Sequence, residues 1–496
     1  MARTLMIQGT CSDAGKSLLV AALCRIYARR GYKVSPFKSQ NMSLNSFVTP
    51  EGHEIGRAQA VQAQGAMRSP HVSMNPVLLK PEGHTRSQIV FMGKPWKTLK
   101  AGDYYMSRDD LWHKLTEVMD RLNEENDIII AEGAGSPAEI NLTAYEIVNM
   151  SVARYLDAPV LLAGDIDRGG VFASLYGTLE LVGEDRDRIR GFLINKFRGD
   201  VNLLQPGIDM LTERCGGVPT YGVIPWIPDI YLAQEDSVFL QGRSFFGDPD
   251  GLELAVIRLP HLSNYDDMDP FLHEKGITLH FVSRPEDLAR ARAIIIPGTK
   301  TSIDDLVWMK DKGLFQAIRE KAAAGIPVTG ICGGYQIMGS VLADPEGIES
   351  SRREEEGLGL LPVRTVFRAD KQTVQVQGAL SGGPGFLSGL EGHSVGGYEI
   401  HMGDSTLLDP DTPALFRRSD GSLDGAVSKD GLCWGSYMHG IFDNLELRRR
   451  FLTSLGWKSP GDGKREEDLR ESELERIADA VEEALDMEAL DRLLGI

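Results

Sequence analysis

Two glycine-framed stretches of this 496-residue chain carry side chains whose type and spacing can do chemistry. The first is Gly9-Thr10-Cys11-Ser12-Asp13-Ala14-Gly15-Lys16-Ser17, set between an apolar run and a helical stretch with Leu18, Leu19, Ala22, Leu23 and Ile26 apolar. Glycines let the backbone turn its N–H groups toward phosphate oxygens, and the helix N-terminus adds a favourable dipole. Lys16 reaches the same oxygens, and Ser17 offers a hydroxyl to Mg²⁺. Gly9, Thr10, Asp13, Ala14, Gly15, Lys16 and Ser17 thus read as an ATP site. Five residues separate the two glycines, where the usual phosphate loop has four. Carboxylates at the ends of later apolar runs suit the same crevice. Glu132, in Ala-Glu-Gly-Ala-Gly-Ser, is a candidate Mg²⁺ ligand, with Asp165 and Asp167 as further candidates.

The second stretch is Val328-Thr329-Gly330-Ile331-Cys332-Gly333-Gly334, an apolar strand running into a cysteine and then a helix. Small neighbours permit the sharp elbow that projects a nucleophile. The Gly333 N–H is placed to donate to an oxyanion, and a second donor is expected from the Pro297-Gly298-Thr299 turn. Cysteine chemistry needs a base, and two histidines compete: His439 in Ser-Tyr-Met-His-Gly, and His401 in Tyr-Glu-Ile-His-Met-Gly.

Composition bounds what surrounds these motifs. Hydrophobic content of 42% and charged content of 25% are those of a globular protein, and no run approaches a membrane span. Five scattered cysteines without a CxxC pair argue for reduced thiols, hence a cytoplasmic setting. A net charge of −18 argues against nucleic acid. Residues 461–496 contribute 13 acidic and 5 basic side chains of that total, a net of −8. Self-association is left open.

The elements that must position these residues follow from apolar periodicity. Short runs at 4–8, 33–36, 127–131, 159–163, 191–195 and 219–224 alternate with helical stretches, the pattern of a parallel α/β sheet. A Gly-Asp-Pro-Asp-Gly cluster ends a linker, and the rhythm restarts at 252–259, 277–282, 293–297 and 327–331. The expected plan is therefore a phosphate-loop α/β domain over 1–233, a linker over 234–250, a second α/β domain over 251–450 and an acidic helical tail over 451–496. Leu474, Ile477, Ala478, Val481, Ala484 and Leu485 form one stripe on that tail, which predicts docking.

On these residues the first domain resembles the dethiobiotin synthetase branch of phosphate-loop enzymes, and the second resembles class I glutamine amidotransferases. The latter resemblance favours His439 as the base. Glu usually stands two residues after that histidine, whereas this chain has Ile441, leaving Asp443 or Glu399 as candidate substitutes. Over residues 1–450 the chain is similar to the cobyric acid synthase family. The carrying segments are residues 9–17, 36–46, 74–81, 131–139 and 165–170, the Cys332 elbow, and residues 397–403. The resemblance implies ATP, Mg²⁺ and glutamine as nitrogen donor, with Cys332 and His439 hydrolysing glutamine and a corrinoid carboxylate as acceptor. It places Lys38, Gln40, Asn41, Asn75 and Lys80 near the corrinoid or the nucleotide. Rival readings are a cobyrinic acid a,c-diamide synthase-like amidase, a partitioning-type ATPase, and a second domain that binds without catalysing.

Overall fold

The computed structural model describes residues 1–82, 86–100, 108–143, 145–230, 232, 244–459, 461 and 463–496. It divides into two compact units. The first comprises Met1–Ser43, Ile55–Glu235 and Arg470–Ile496, and the second comprises Leu44–Glu54 and Asp236–Leu469. The division departs from the sequence-based boundaries in two places: 44–54 joins the second unit, and 470–496 returns to the first. Most of the expected linker lies outside the described residues.

A six-stranded parallel sheet centres the first unit, in the order Thr220–Pro225, Ile189–Phe197, Val160–Asp165, Arg3–Gly9, Ile128–Glu132, Val34–Phe37. Side chains alternate between two cores, as the twofold period of a strand requires. Leu5, Ile7, Ile128, Ile130, Leu161 and Leu193 enter one core; Met6, Ile129, Ala131, Leu162, Phe192 and Ile194 enter the other. Both faces are covered, so the strands read as unbroken apolar runs. The helix Lys16–Arg29 packs in the first core with the tail's Leu474, Ile477, Ala478 and Val481. The tail therefore docks, and its acids meet the helix: Arg25 pairs with Glu471 and Glu475, Arg29 with Asp479 and Glu482, Arg30 with Asp491. Periodicity did not foretell the four-stranded sheet of Gln40–Met42, Val77–Glu82, Arg86–Phe91 and Lys94–Lys100 in the same half of the sequence.

The second unit carries a seven-stranded sheet, ordered Phe245–Gly247, Ile277–Val282, Leu252–Ile257, Ala293–Ile296, Val328–Ile331, Cys433–Ser436, Ala426–Val427. Its five inner strands run parallel. Beside it, the long antiparallel pair Val363–Leu380 and Ser394–Leu407 was not anticipated.

Candidate active sites

In the first unit the strand Arg3–Gly9 ends in the glycine loop, and Lys16 opens the helix. Gly15 has φ +88, and a Cβ there would fall 2.1 Å from Asn195 Nδ2, so only glycine fits. Lys16 Nζ donates to the carbonyls of Cys11, Ser12 and Gly135 at 2.8, 3.0 and 3.2 Å. Ser17 Oγ donates to Glu132 Oε1 at 2.8 Å, and Lys38 Nζ lies 2.9 Å from the same oxygen. Gln62 Nε2 holds the other carboxylate oxygen. Burial opposes the charge on Glu132, but Lys38 outweighs it, helped by Gln62 and Lys16, and holds this carboxyl below its ordinary value.

The structure thus brings Lys16, Ser17 and Glu132 together with Lys38, which the family resemblance placed only near the corrinoid or the nucleotide. Asp165 instead pairs with Lys196 at 2.8 Å, and Lys196 also donates to the carbonyl of Asp13. Asn195 and Lys196, which brace the loop through the carbonyls of Ala14 and Asp13, were missed; their place at the end of an expected strand was the available signal. Asn41 donates to Gln59 Oε1, while Asn75 donates to the carbonyls of Lys38 and Val77 and so braces the backbone around Lys38. Gln40 pairs in register with Val77, and Lys80 is buried opposite Gln88. Asp167 pairs with Arg198. Among the described residues no group of three or more His, Cys, Asp or Glu side chains could hold a metal. Ser17 and Glu132 supply one hydroxyl and one carboxylate, the sparse protein set that suits Mg²⁺ beside phosphate oxygens and water.

In the second unit four neighbouring parallel strands each deliver one residue to the same end of the sheet. The strand Leu252–Ile257 leads to Asp267, Ala293–Ile296 to Gly298, Val328–Ile331 to Cys332, and Cys433–Ser436 to His439. This is the carboxyl edge where open α/β sheets bind ligands. Cys332 has φ +52 and ψ −110, the strained elbow its glycine neighbours allow, a conformation costing about 1–3 kcal/mol. Its amide donates to the carbonyl of Ser436 at 2.8 Å, which ties the elbow to the strand feeding His439. The Pro297-Gly298-Thr299 turn abuts both. A Cβ on Gly298 would lie 2.9 Å from His439 Cε1, and one on Gly333 would lie 3.0 Å from the Thr299 nitrogen.

His439, only 2% exposed, interacts electrostatically with Cys332, whose thiol donates to the Ile400 carbonyl at 3.5 Å. Its Nδ1 lies 2.7 Å from Asp267 Oδ2, while Asp267 Oδ1 accepts from the Gly440 amide at 2.7 Å. The Nδ1 bond fixes the tautomer and leaves Nε2 for the sulfur. Burial disfavours the imidazolium, yet Asp267 and Cys332 more than offset it and hold His439 well above its ordinary pKa.

Of the three alternatives drawn from sequence, His401 and Glu399 lie elsewhere, and Asp267 rather than Asp443 stands on His439 Nδ1. His401 contacts the Gly403 carbonyl and Glu399, and stacks on Tyr437 at 3.6 Å. Glu399 pairs with His401 and Arg418, so it does not orient His439. The position two after the histidine, Ile441, is buried in the core. The residue that completes the arrangement is Asp267, far upstream in the Tyr265–Met268 turn. Nothing local in the sequence marks it.

A phosphate-loop unit and a unit that brings Cys332, His439 and Asp267 together, joined in one chain, are the parts of a glutamine-dependent amide-forming ligase. Comparison with known proteins agrees. Residues 5–238 match the CobQ/CobB/MinD/ParA nucleotide binding domain, and residues 253–447 match the CobB/CobQ-like glutamine amidotransferase domain. Cobyric acid synthase of Sorangium cellulosum (strain So ce56) is 49% identical, with 100% of this chain and 99% of that protein covered. The enzyme of the same name from Dehalococcoides mccartyi (strain CBDB1) is 48% identical over 100% and 99%, and that of Desulforudis audaxviator (strain MP104C) 47% over 100% of both. The chain belongs to the cobyric acid synthase family. No described helix is long and apolar enough to cross a membrane.

Proposed function

We propose that this chain amidates the b, d, e and g carboxylates of adenosylcobyrinic acid a,c-diamide, taking nitrogen from glutamine and energy from ATP. The observation that carries the amidase half is the convergence of Asp267, His439 and Cys332 on one sheet edge. The substrate rests on the full-length likeness to relatives named cobyric acid synthase.

The Cys332 thiolate attacks the glutamine carboxamide, and the N–H groups of Gly298 and Gly333 receive the developing oxyanion. His439 passes its proton to the departing ammonia, leaving a thioester that water hydrolyses, while Asp267 keeps the imidazole turned toward sulfur. In the other unit Lys16 and the loop amides bind the nucleotide phosphates. Ser17 and Glu132 would hold Mg²⁺, which offsets phosphate charge when bound. The substrate carboxylate, directed by Lys38 with Lys80 near the corrinoid, takes the terminal phosphoryl group, and ammonia displaces phosphate to leave the amide. Fusion in one chain raises the chance that ammonia is captured before it is lost, a proximity effect.

Turnover with ATP, glutamine and the a,c-diamide, followed by mass spectrometry, should show four successive exchanges of OH for NH₂. Amidation of cobyrinic acid at the a and c positions instead would reassign the acceptor. Cys332→Ala should abolish synthesis from glutamine and leave synthesis from added ammonia largely intact. Equal loss with both donors would remove Cys332 from its assigned role.

A further inference from the structure

A short segment from the first half of the sequence, Leu44–Glu54, belongs to the amidase unit. Glu54 pairs with Lys371, and Gln375 Nε2 donates to the carbonyl of Val48, which anchors the segment on the long strand Val363–Leu380. Its leading end grips Asn264. The Asn264 amide donates to Asn45 Oδ1 at 2.8 Å, the Ser46 amide to Asn264 Oδ1 at 3.2 Å, and Asn264 Nδ2 to the Ser46 carbonyl at 2.9 Å. The segment also meets Tyr398. The Tyr398 hydroxyl lies 3.1 Å from the Ser46 carbonyl, and the Phe47 ring stands edge-on to the tyrosine at 5.0 Å.

Both gripped residues lead to His439. Asn264, held at φ +51, caps the turn that carries Asp267, the carboxylate on His439 Nδ1. Tyr398 stacks on the His439 ring at 5.4 Å and exchanges two backbone hydrogen bonds with it, at 3.1 and 2.8 Å. Asparagine adopts αL more readily than other non-glycine residues, and three hydrogen bonds with the segment hold Asn264 there. The segment's two ends run straight into backbone of the phosphate-loop unit. Lys38, on one side, and Gln62, in the helix Arg57–Gly65 on the other, are the side chains that hold the two oxygens of Glu132.

We propose that Leu44–Glu54 is a positioning segment for the amidase histidine, setting His439 through Asn264 and Tyr398, and that occupancy of the phosphate-loop site reaches the amidase through it. The inference rests on the reading of Cys332 and His439 as the glutaminase pair. A substrate or nucleotide that draws on Lys38 or Gln62 shifts the backbone at either end of the segment, and the histidine is the group whose aim then changes. Misplacement of a reacting group by about 1 Å costs on the order of 100-fold in rate, so a small shift suffices.

The test uses the full chain and measures glutamine hydrolysis with and without ATP and the corrinoid, alongside synthesis from ammonia. The unaltered protein should hydrolyse glutamine faster when both are present. Phe47→Ala should lower kcat for glutamine about tenfold, leave its KM unchanged, reduce the stimulation, and spare synthesis from ammonia. Phe47→Tyr, which keeps the ring edge on Tyr398, should restore the rate. Gln375→Leu, which removes the anchor on Val48, should give the same split and serves if Phe47→Ala does not fold. An unchanged kcat, or equal loss with glutamine and ammonia, overturns the positioning role; an unchanged stimulation ratio overturns the relay. Cys332→Ala separates the two readings. If it retains glutamine-driven synthesis, the amidase assignment fails; if it loses it while Phe47→Ala behaves as the unaltered protein, only the segment's role fails.

Discussion

The two sites hold charge in opposite ways. At the phosphate loop, Lys16, Lys38 and Glu132 are buried together, and their partners come from the loop itself, from Ser17 and from Gln62. Charge there is spread over a lattice: Lys38 pairs with Glu132, and Lys16, held by backbone carbonyls, adds a weaker attraction to the same carboxylate. At the thiol site one ion pair, His439 with Asp267, stands inside apolar packing, and the remaining order comes from backbone: the Cys332 elbow, the Gly298 turn and the Gly440 amide. A lattice tolerates the loss of one catalytic contact but loses stability with each charge removed. A single oriented pair behaves the other way round: its loss costs rate before it costs fold.

Asp267→Asn is the sharpest way to break that contrast, and it carries the largest expected effect. The amide keeps the packing but not the charge, so the imidazole is free to take the wrong tautomer, and glutamine-dependent turnover should fall by about 10³-fold or more. Synthesis from ammonia should stay near its starting rate. The pH profile gives an independent reading. Asp267 helps hold His439 above its ordinary pKa, so the substitution lowers that pKa and moves the alkaline limb of glutamine hydrolysis to lower pH. For stability the sign is that of a raised histidine: the contribution is complete below about pH 6.5 and is lost as pH rises through the folded value. A mutant with an unshifted alkaline limb would show that Asp267 does not set the charge on His439.

Lys38→Met tests the lattice. Removing one partner of a buried pair leaves Glu132 charged and undersolvated, at a cost of about 3–5 kcal/mol. Ser17 and Gln62 remain on the carboxylate and place the loss at the lower end. Glu132 is held below its ordinary value of 4.5, so the pair stabilises above about pH 4.5 and its contribution is lost as pH falls. The gap in melting temperature between Lys38→Met and the unaltered chain should therefore narrow on acidification. A gap that widens would contradict the assigned pairing.

The same contrast explains what the sequence made legible. Phosphate chemistry is written in one contiguous run, because backbone amides, lysine and serine must all lie within one turn of a helix start; Gly9–Ser17 and the Cys332 elbow were therefore readable in place. The ten strands read from apolar runs include those leading to Lys16, Glu132, Asp267, Gly298 and Cys332, since strands covered on two faces lose their polar alternation and stand out. They omit Cys433–Ser436, which leads to His439. Asp267 was illegible for the same physical reason inverted. It meets His439 across 172 residues, through the packing of two strands that only the folded sheet brings near. The 44–54 segment was likewise illegible: only its start fell within the 36–46 stretch of the family resemblance, and nothing in Asn45-Ser46-Phe47 announces Asn264 and Tyr398 as its partners. The long pair Val363–Leu380 and Ser394–Leu407 escaped because it is half exposed, and the irregularity between Phe367 and Gln372 together with Gly396, Gly397 and Gly403 breaks the period of two.

The smallest effect concerns the helices that follow the two motifs. Gly333–Met338, after the cysteine, is buried at every position and carries no charged side chain, so its hold on the elbow comes from packing and the hydrogen bonds of Gln336. Lys16–Arg29, after the phosphate loop, is apolar on one face and ionic at its far end, where Arg25, Arg29 and Arg30 meet the tail's Glu471, Glu475, Asp479, Glu482 and Asp491. Most of these acids are partly exposed, so each pair is worth about 0.5 kcal/mol and is screened by salt. Glu475→Gln, which touches both Arg25 and Arg29, should lower the melting temperature slightly in dilute buffer, and the difference should vanish near 1 M salt, where the Debye length shrinks to about 3 Å. Glutamine hydrolysis should not follow the salt series in step, because no such ladder braces the Cys332 helix among the described residues. A Glu475→Gln deficit that survives high salt would mean that Arg25, whose side chain has no exposure, behaves as a buried charge stripped of its partner rather than as the root of a surface ladder.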